Sequence, residues 1–265
     1  MAAEASDAAA CRQAGATTSD IPHLSVTQLK MYLRCPLQYF FRYVCHLKVP
    51  PGSEVTLGKA VHGAIGDNYR QKIASARDLP FGDVADIFST RWEAEAKEAA
   101  FEKDEKPGEI KDQGVQLLKT YFDEVAPHVQ PLQVEREFLV NIRTTKHPLK
   151  GYIDLIDNEG NIIDHKTTKR SYPQDAAEDD VQLTAYAMAY RAMHGRQENG
   201  VRLDVTVRNK QPKIQQLYGR RSEAQIGRFI RLAEQLENGI NSGVFYPNES
   251  YLCTGCGYQG MCERW

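Results

Sequence analysis

The sequence predicts an α/β fold: a mixed central sheet flanked by helices, with a helical N-terminal part and a cysteine-rich C-terminal tail. Three observations carry that expectation. Apolar residues recur at helical spacing through most of the first half of the chain. From Leu132 the pattern changes to short apolar runs separated by turn residues. The order from there is three strands, a helix, two strands and a helix, which suits a mixed sheet covered by helices.

In order along the chain, Met1–Asp20 is rich in Ala, Ser and Thr and is expected to be a disordered leader, leaving residues 21–265 as one domain. Leu24–Leu47 is helical in spacing, with Leu29, Leu33, Leu37 and Phe41 on the apolar stripe and Ser25 or Thr27 as the cap. Pro36 disfavours a helical Cys35, so two short helices meeting there are expected. After the Pro50-Pro51-Gly52 break, helices are expected at Leu57–Ile73, Asp83–Phe101 and Ile110–Val125; together residues 57–130 form a helical insertion. Strands are expected at Val134–Ile142, Leu149–Asp157 and Asn161–Lys166, with Asn158-Glu159-Gly160 turning between the last two. A helix at Val181–His194, strands at Val201–Arg208 and Lys213–Tyr218, and a helix at Ser222–Asn238 follow, so the core spans 132–220 and the tail 243–265.

Composition sets bounds. The chain has 265 residues, 26% of them charged and 42% hydrophobic, which are ordinary values for a soluble globular protein. No apolar run has the length of a membrane span, and the N-terminus lacks the basic start and apolar stretch of a secretory signal, so a cytoplasmic location is expected. The formal net charge is −2, so contact with a nucleic acid must come from local patches. Candidates are Lys166, Lys169 and Arg170; Arg208, Lys210 and Lys213; and Arg220 and Arg221, each of which could equally be solvated surface.

The chemistry concentrates in Gly151–Lys169, GYIDLIDNEGNIIDHKTTK. Asp154 lies inside one apolar strand and Asp164 ends the next, with Lys166 two residues on. Residues two apart on a strand share a face, so Asp164 and Lys166 project together while His165 points away. If the hairpin pairs the two strands, Asp154 approaches Asp164. Adjacent carboxylates repel unless a cation lies between them, and hard oxygen ligands suit Mg2+ or Mn2+. A nearby lysine can orient a water and stabilise charge on a phosphate. On spacing alone, a surface hairpin with a salt bridge explains the pattern as well.

Three motifs narrow this. Gly151-Tyr152-Ile153-Asp154, Ile163-Asp164-His165-Lys166-Thr167 and Gln182-Leu183-Thr184-Ala185-Tyr186 occur in that order. The set resembles the PD-(D/E)XK nuclease superfamily, in particular its RecB-type branch. The resemblance implies a restriction-endonuclease-like fold and a metal-dependent deoxyribonuclease. It implies that Asp154 and Asp164 bind Mg2+ or Mn2+, that His62 in Gly58-Lys59-Ala60-Val61-His62 completes the shell, and that the backbone carbonyl of His165 contributes. Lys166 would position the water, and Gln182 and Tyr186, one helix face apart in register, would orient the lysine or contact DNA backbone. Read alone, His62, Gln182 and Tyr186 could be ordinary structural residues. Of the acids on the strand before Asp154, Glu135 and Glu137, the second is the weak candidate.

The six cysteines separate by position. Cys11 is in the leader and Cys45 in an apolar stretch, whereas Cys253 and Cys256 form a C-x2-C knuckle followed by Cys262, and Cys35 is the best fourth thiolate. Four thiolates suit zinc or an iron–sulfur cluster. One cysteine before the core and three after it resembles the cluster-bearing RecB-type nucleases, the AddB nuclease domain and the CRISPR-associated exonucleases. That resemblance implies a 4Fe-4S cluster clamping the tail to the first helices, with Tyr251, Tyr258 and Trp265 around it. The implied activity is an exonuclease on single-stranded DNA or DNA ends, in repair, recombination or CRISPR adaptation, beside a helicase or adaptation proteins. A DNA-end-binding adaptor subunit and a zinc-stabilised protein without a nucleic-acid role are the competing readings.

Overall fold

Local sequence signals set the helix boundaries in the computed structural model, which describes residues 22–265; the leader and Cys11 lie outside the described residues. Helix α1, Val26–Arg34, opens on Ser25, whose hydroxyl accepts from the Gln28 amide while Gln28 reaches back to the Ser25 amide, a capping box. It stops at Cys35, extended at φ −161°, because the proline that follows excludes the helical region there. The chain restarts as α2, Pro36–Tyr39, and runs into a π-helical turn, Phe40–Val44. The expected break at Cys35-Pro36 is therefore present. The buried face differs by one residue: Leu29 and Tyr32 are buried, whereas Leu33 is exposed.

The chain divides into two compact units. The first comprises the residues up to Val49, Leu139–Gly151 and Ala224–Trp265. Its interior is aromatic: Phe245 packs against Tyr32, Tyr39 and Phe40, and Trp265 meets Phe40 and Phe41 edge-on at 5.2 and 5.7 Å. Helix α7, Glu223–Asn241, contributes Glu237, whose buried carboxylate accepts from the Lys146 and His147 amides and pairs with His147 Nδ1 at 2.7 Å. A buried charge is tolerated when its lone pairs are filled in this way.

The second unit comprises Pro50–Phe138 and Tyr152–Glu223. Helices α3 (Ser53–Ser75), α4 (Phe81–Ala96) and α5 (Pro107–Glu124) enclose a core of Leu57, Val61, Phe88, Leu117 and Tyr121 that also takes in Leu155 and Ile163 from the sheet. Gly114 lets α5 pass close to α4, since a Cβ there would fall inside the Phe88 ring. The sheet has five strands in sequence order: β1 Pro131–Val140, β2 Leu149–Asp157, β3 Asn161–Thr168, β4 Gly200–Val207 and β5 Lys213–Gly219. β2 and β3 are antiparallel, β3 and β4 parallel, β4 and β5 antiparallel. The β2–β3 turn closes on Gly160 at φ +84°, a region open to glycine. The parallel step is crossed by α6, Val181–His194, capped by Asp180 at its start and Gly195 in the left-handed region at its end. The mixed sheet flanked by helices is thus as expected, although the helix expected through Phe101 stops at Ala96.

Candidate active site

The β2–β3 register brings the acids together. Leu155 pairs with Ile163 and Ile156 with Ile162, so the same antiparallel register sets Asp154 opposite Asp164. Asp164 is fully buried, and its Oδ1 has no hydrogen-bond partner among the described residues. Lys166 Nζ lies 2.7 Å from Asp164 Oδ2, as the two-residue spacing requires. The ammonium also donates to Gln182 Oε1 at 2.9 Å; Gln182 Nε2 donates to the Tyr186 hydroxyl at 2.7 Å, and that hydroxyl reaches Asp154 Oδ1 at 3.5 Å. Gln182 and Tyr186 stand four apart on α6, on one helix face. Three side chains, Lys166, Gln182 and Tyr186, thus link the two carboxylates in a polar chain.

The other side of Asp154 is filled from α3. His62 Nε2 is 3.0 Å from Asp154 Oδ2, which also accepts the His165 backbone amide at 3.0 Å. Among the described residues, His62, Asp154 and His165 form the one group of at least three His, Cys, Asp or Glu side chains whose ligand atoms lie within 4.8 Å of one another. The His165 ring is therefore not simply directed away: a ring nitrogen belongs to the same group, and the ring centroid is 5.9 Å from that of His62.

Charge is strongly perturbed here. Burial and the neighbouring Asp154 charge raise the Asp164 carboxyl to about 7. Burial would raise Asp154 too, but the hydrogen bond and charge of His62, with His165 and Lys166, bring it down to about 2. Burial favours a neutral His62, yet Asp154 and Glu135 outweigh it and its pKa is raised. Lys166 is likewise raised, since Asp164 and Asp154 overcome its burial. Asp154 with the two imidazoles forms the close group, and the predicted ligand Asp164 lies outside it beside Lys166; carboxylate and imidazole together are donors a divalent cation takes.

Sequence reasoning missed Glu135. Its backbone is left-handed, φ +46°, inside β1, and its side chain turns toward His62 Nδ1 at 3.7 Å while pairing with Arg70. Glu137, the acid favoured from sequence, accepts instead from the Tyr152 hydroxyl at 3.0 Å. A backbone irregularity of that kind leaves no signature in residue type.

The basic patches are less free than expected. Arg221 is buried and hydrogen-bonds Thr184 Oγ1 and the carbonyls of Ala177 and Asp180, so it is a structural residue and not a surface contact. Lys169 and Arg208 both pair with Glu54. Lys166 is engaged in the site, whereas Arg170, Lys210, Lys213 and Arg220 are exposed.

In the first unit, Cys35, Cys253, Cys256 and Cys262 line one cavity of about 460 Å3. Burial, and then the other three cysteines, raise the pKa of Cys262. Tyr258 is buried beside them, stacked on Phe41 with its hydroxyl on the Leu47 carbonyl, but Tyr251 is 85% exposed and does not pack there as expected.

A mixed sheet presenting an acid, an opposed acid and a lysine two residues on, with an imidazole from a covering helix, has the donors and the cation expected of a nuclease site. The chain belongs to the PD-(D/E)XK nuclease superfamily, whose family model it matches over residues 23–263. Members of that superfamily use divalent metals. A crystal structure of a candidate exonuclease from Eubacterium rectale aligns with a TM-score of 0.62 at 11% identity, covering 92% of this chain and 88% of that one, a likeness of fold alone. A second solved structure, SSO0001, aligns at 14% identity over 90% of this chain and 95% of its own, with a TM-score of 0.36, too low to support a shared fold. No curated protein matches. Among the described residues, no helix is long and apolar enough to cross a membrane.

Proposed function

We propose that this nuclease is a divalent-metal-dependent deoxyribonuclease, an exonuclease acting on single-stranded DNA or DNA ends. The observation that carries the reading is the buried Asp164 carboxylate, opposed to Asp154 and paired with Lys166, with one oxygen left without a partner. His62, Asp154 and Asp164, with the His165 carbonyl, hold Mg2+ or Mn2+. The bound ion would polarise the scissile phosphate and lower the pKa of a water. Lys166 orients that water and stabilises charge developing on the phosphate. Gln182 fixes the lysine by accepting one of its protons, and Tyr186 holds Gln182 and Asp154 in register. Arg170, Lys210, Lys213 and Arg220 are exposed cations available to the DNA backbone.

The four cysteines are read as ligands of a 4Fe-4S cluster. The four cysteines line one cavity, and one before the core with three after it is the arrangement that favours the cluster.

The test is degradation of 5′- and 3′-labelled single strands in Mn2+ by wild type, Lys166→Ala and Asp164→Asn. Wild type should shorten one label progressively, and both variants should fall by about 100-fold or more, the scale of a lost catalytic group. Full degradation by Lys166→Ala would refute the assignment. A colourless preparation containing zinc and no iron would refute the cluster.

A further inference from the structure

Behind the site lies a buried polar chain to which the catalytic reading gives no task. Asp204 on β4 is fully buried and pairs across the parallel ladder with His165. Arg202 Nη2 donates to Asp204 Oδ2 at 3.0 Å, Arg202 Nε lies 2.8 Å from Oδ1, and Gln216 Nε2 donates to Oδ1 at 3.2 Å. The remaining partner is the Tyr121 hydroxyl, 3.3 Å from Oδ2. That hydroxyl also meets the Tyr69 hydroxyl at 2.9 Å and His165 Nε2 at 3.0 Å.

Donor and acceptor counting fixes the protons. A carboxylate held by a guanidinium is an acceptor only, so Tyr121 donates its one proton to Asp204. Its two lone pairs then accept from Tyr69 and from His165, which requires the proton of the His165 ring to sit on Nε2. The nitrogen left with a lone pair is Nδ1, on a half-buried ring whose ligand atom lies within 4.8 Å of those of His62 and Asp154.

We propose that Asp204, acting through Tyr121, is a positioning residue that holds His165 as its Nε2–H tautomer, so that Nδ1 supplies a second imidazole ligand beside His62 and Asp154 and shifts the site away from Mg2+ toward ions that accept nitrogen. The expected carbonyl contribution of His165 is then supplemented by its side chain. Imidazole favours later first-row ions, whereas Mg2+ retains oxygen and water. Outer-sphere partners of metal-bound histidines set tautomer and orientation in this way, and their loss typically weakens binding by about 10- to 100-fold. The proposal rests on the reading that the ion binds at Asp154.

The experiment titrates the purified protein with Mn2+ alone, following bound ion by the electron-spin-resonance signal of free Mn2+ and counting coordinated imidazoles by 14N modulation in pulsed spectra. Mg2+ affinity is read by competition. Wild type should show two imidazole nitrogens. His165→Ala should show one, bind Mn2+ at least about tenfold more weakly, and change little toward Mg2+. Tyr121→Phe should weaken Mn2+ binding about tenfold, with no further loss in the double variant. One imidazole in wild type, or His165→Ala within twofold of wild type, overturns the proposal and leaves the nuclease reading intact. Mn2+ binding by wild type that Asp154→Ala does not diminish would remove the metal site itself and this inference with it.

Discussion

Replacing Asp164 by Asn should stabilise the ion-free protein, and the gain should grow with pH. In the fold this carboxyl is raised from 3.8 to about 7 by burial and by Asp154. The native state therefore holds the proton more tightly than the unfolded chain does. Stability is lost as pH rises from the unfolded value through the folded one, and the loss is complete above about 7. At about 1.36 kcal/mol per unit, a rise from 3.8 to about 7 corresponds to about 4 kcal/mol at pH 8, about 2 kcal/mol at pH 5 and about half a kcal/mol at pH 4. Asparagine cannot ionise and escapes that penalty. Thermal melts of both proteins in chelator at pH 5 and pH 8 measure the difference. With about 2–4 °C per kcal/mol for a chain of this size, Asp164→Asn should melt roughly 8 °C or more above wild type at pH 8. Saturating Mn2+ should narrow the gap, since an ion at 100 times its dissociation constant adds about 2.7 kcal/mol to wild type alone. A variant that is no more stable than wild type at pH 8, or whose advantage is equal at both pH values, would refute the electrostatic account of this pair.

Other consequences can be measured. Mn2+ affinity should fall as pH drops below about 7, by up to tenfold per unit, because Asp164 must release its proton to bind; calorimetric titrations at pH 6 and 8 check this. Gly114→Ala forces a methyl group into the Phe88 ring and should destabilise the fold by about 1–3 kcal/mol in urea denaturation. Glu237→Gln removes the charge that accepts the Lys146 and His147 amides and His147 Nδ1; a loss of about 1–3 kcal/mol is expected in the same assay. Cys35→Ser should lower bound iron and the absorbance near roughly 400 nm.

The sequence was most legible where local chemistry and tertiary need coincide. β2 and α6 have the boundaries expected of them, Leu149–Asp157 and Val181–His194, because a turn at Gly160, a cap at Asp180 and a stop at Gly195 mark their ends. Strand alternation put Asp164 and Lys166 on one face, and helix spacing did the same for Gln182 and Tyr186; that the two pairs share a site with Asp154 was implied only by the family resemblance. What was not legible depends on contacts across the fold. Arg221 looks like a surface cation, yet carbonyls distant in sequence bury it. Tyr121 reads as one more apolar helix position, and only tertiary packing brings it to both His165 and Asp204. Asp204 left no trace either: apolar and polar residues alternate through Val201–Val207, and Asp204 takes a polar place between Arg202 and Thr206.

The left-handed backbone at Glu135 has an evolutionary corollary. A non-glycine residue held in that region costs on the order of 1 kcal/mol, which glycine or asparagine would largely avoid. Selection for heat resistance alone would therefore replace this glutamate early, and Glu135→Gly is a natural result of a screen for thermal tolerance. Its persistence in variants selected for turnover, against its disappearance in variants selected for endurance, would separate what the kink does for chemistry from what it does for folding.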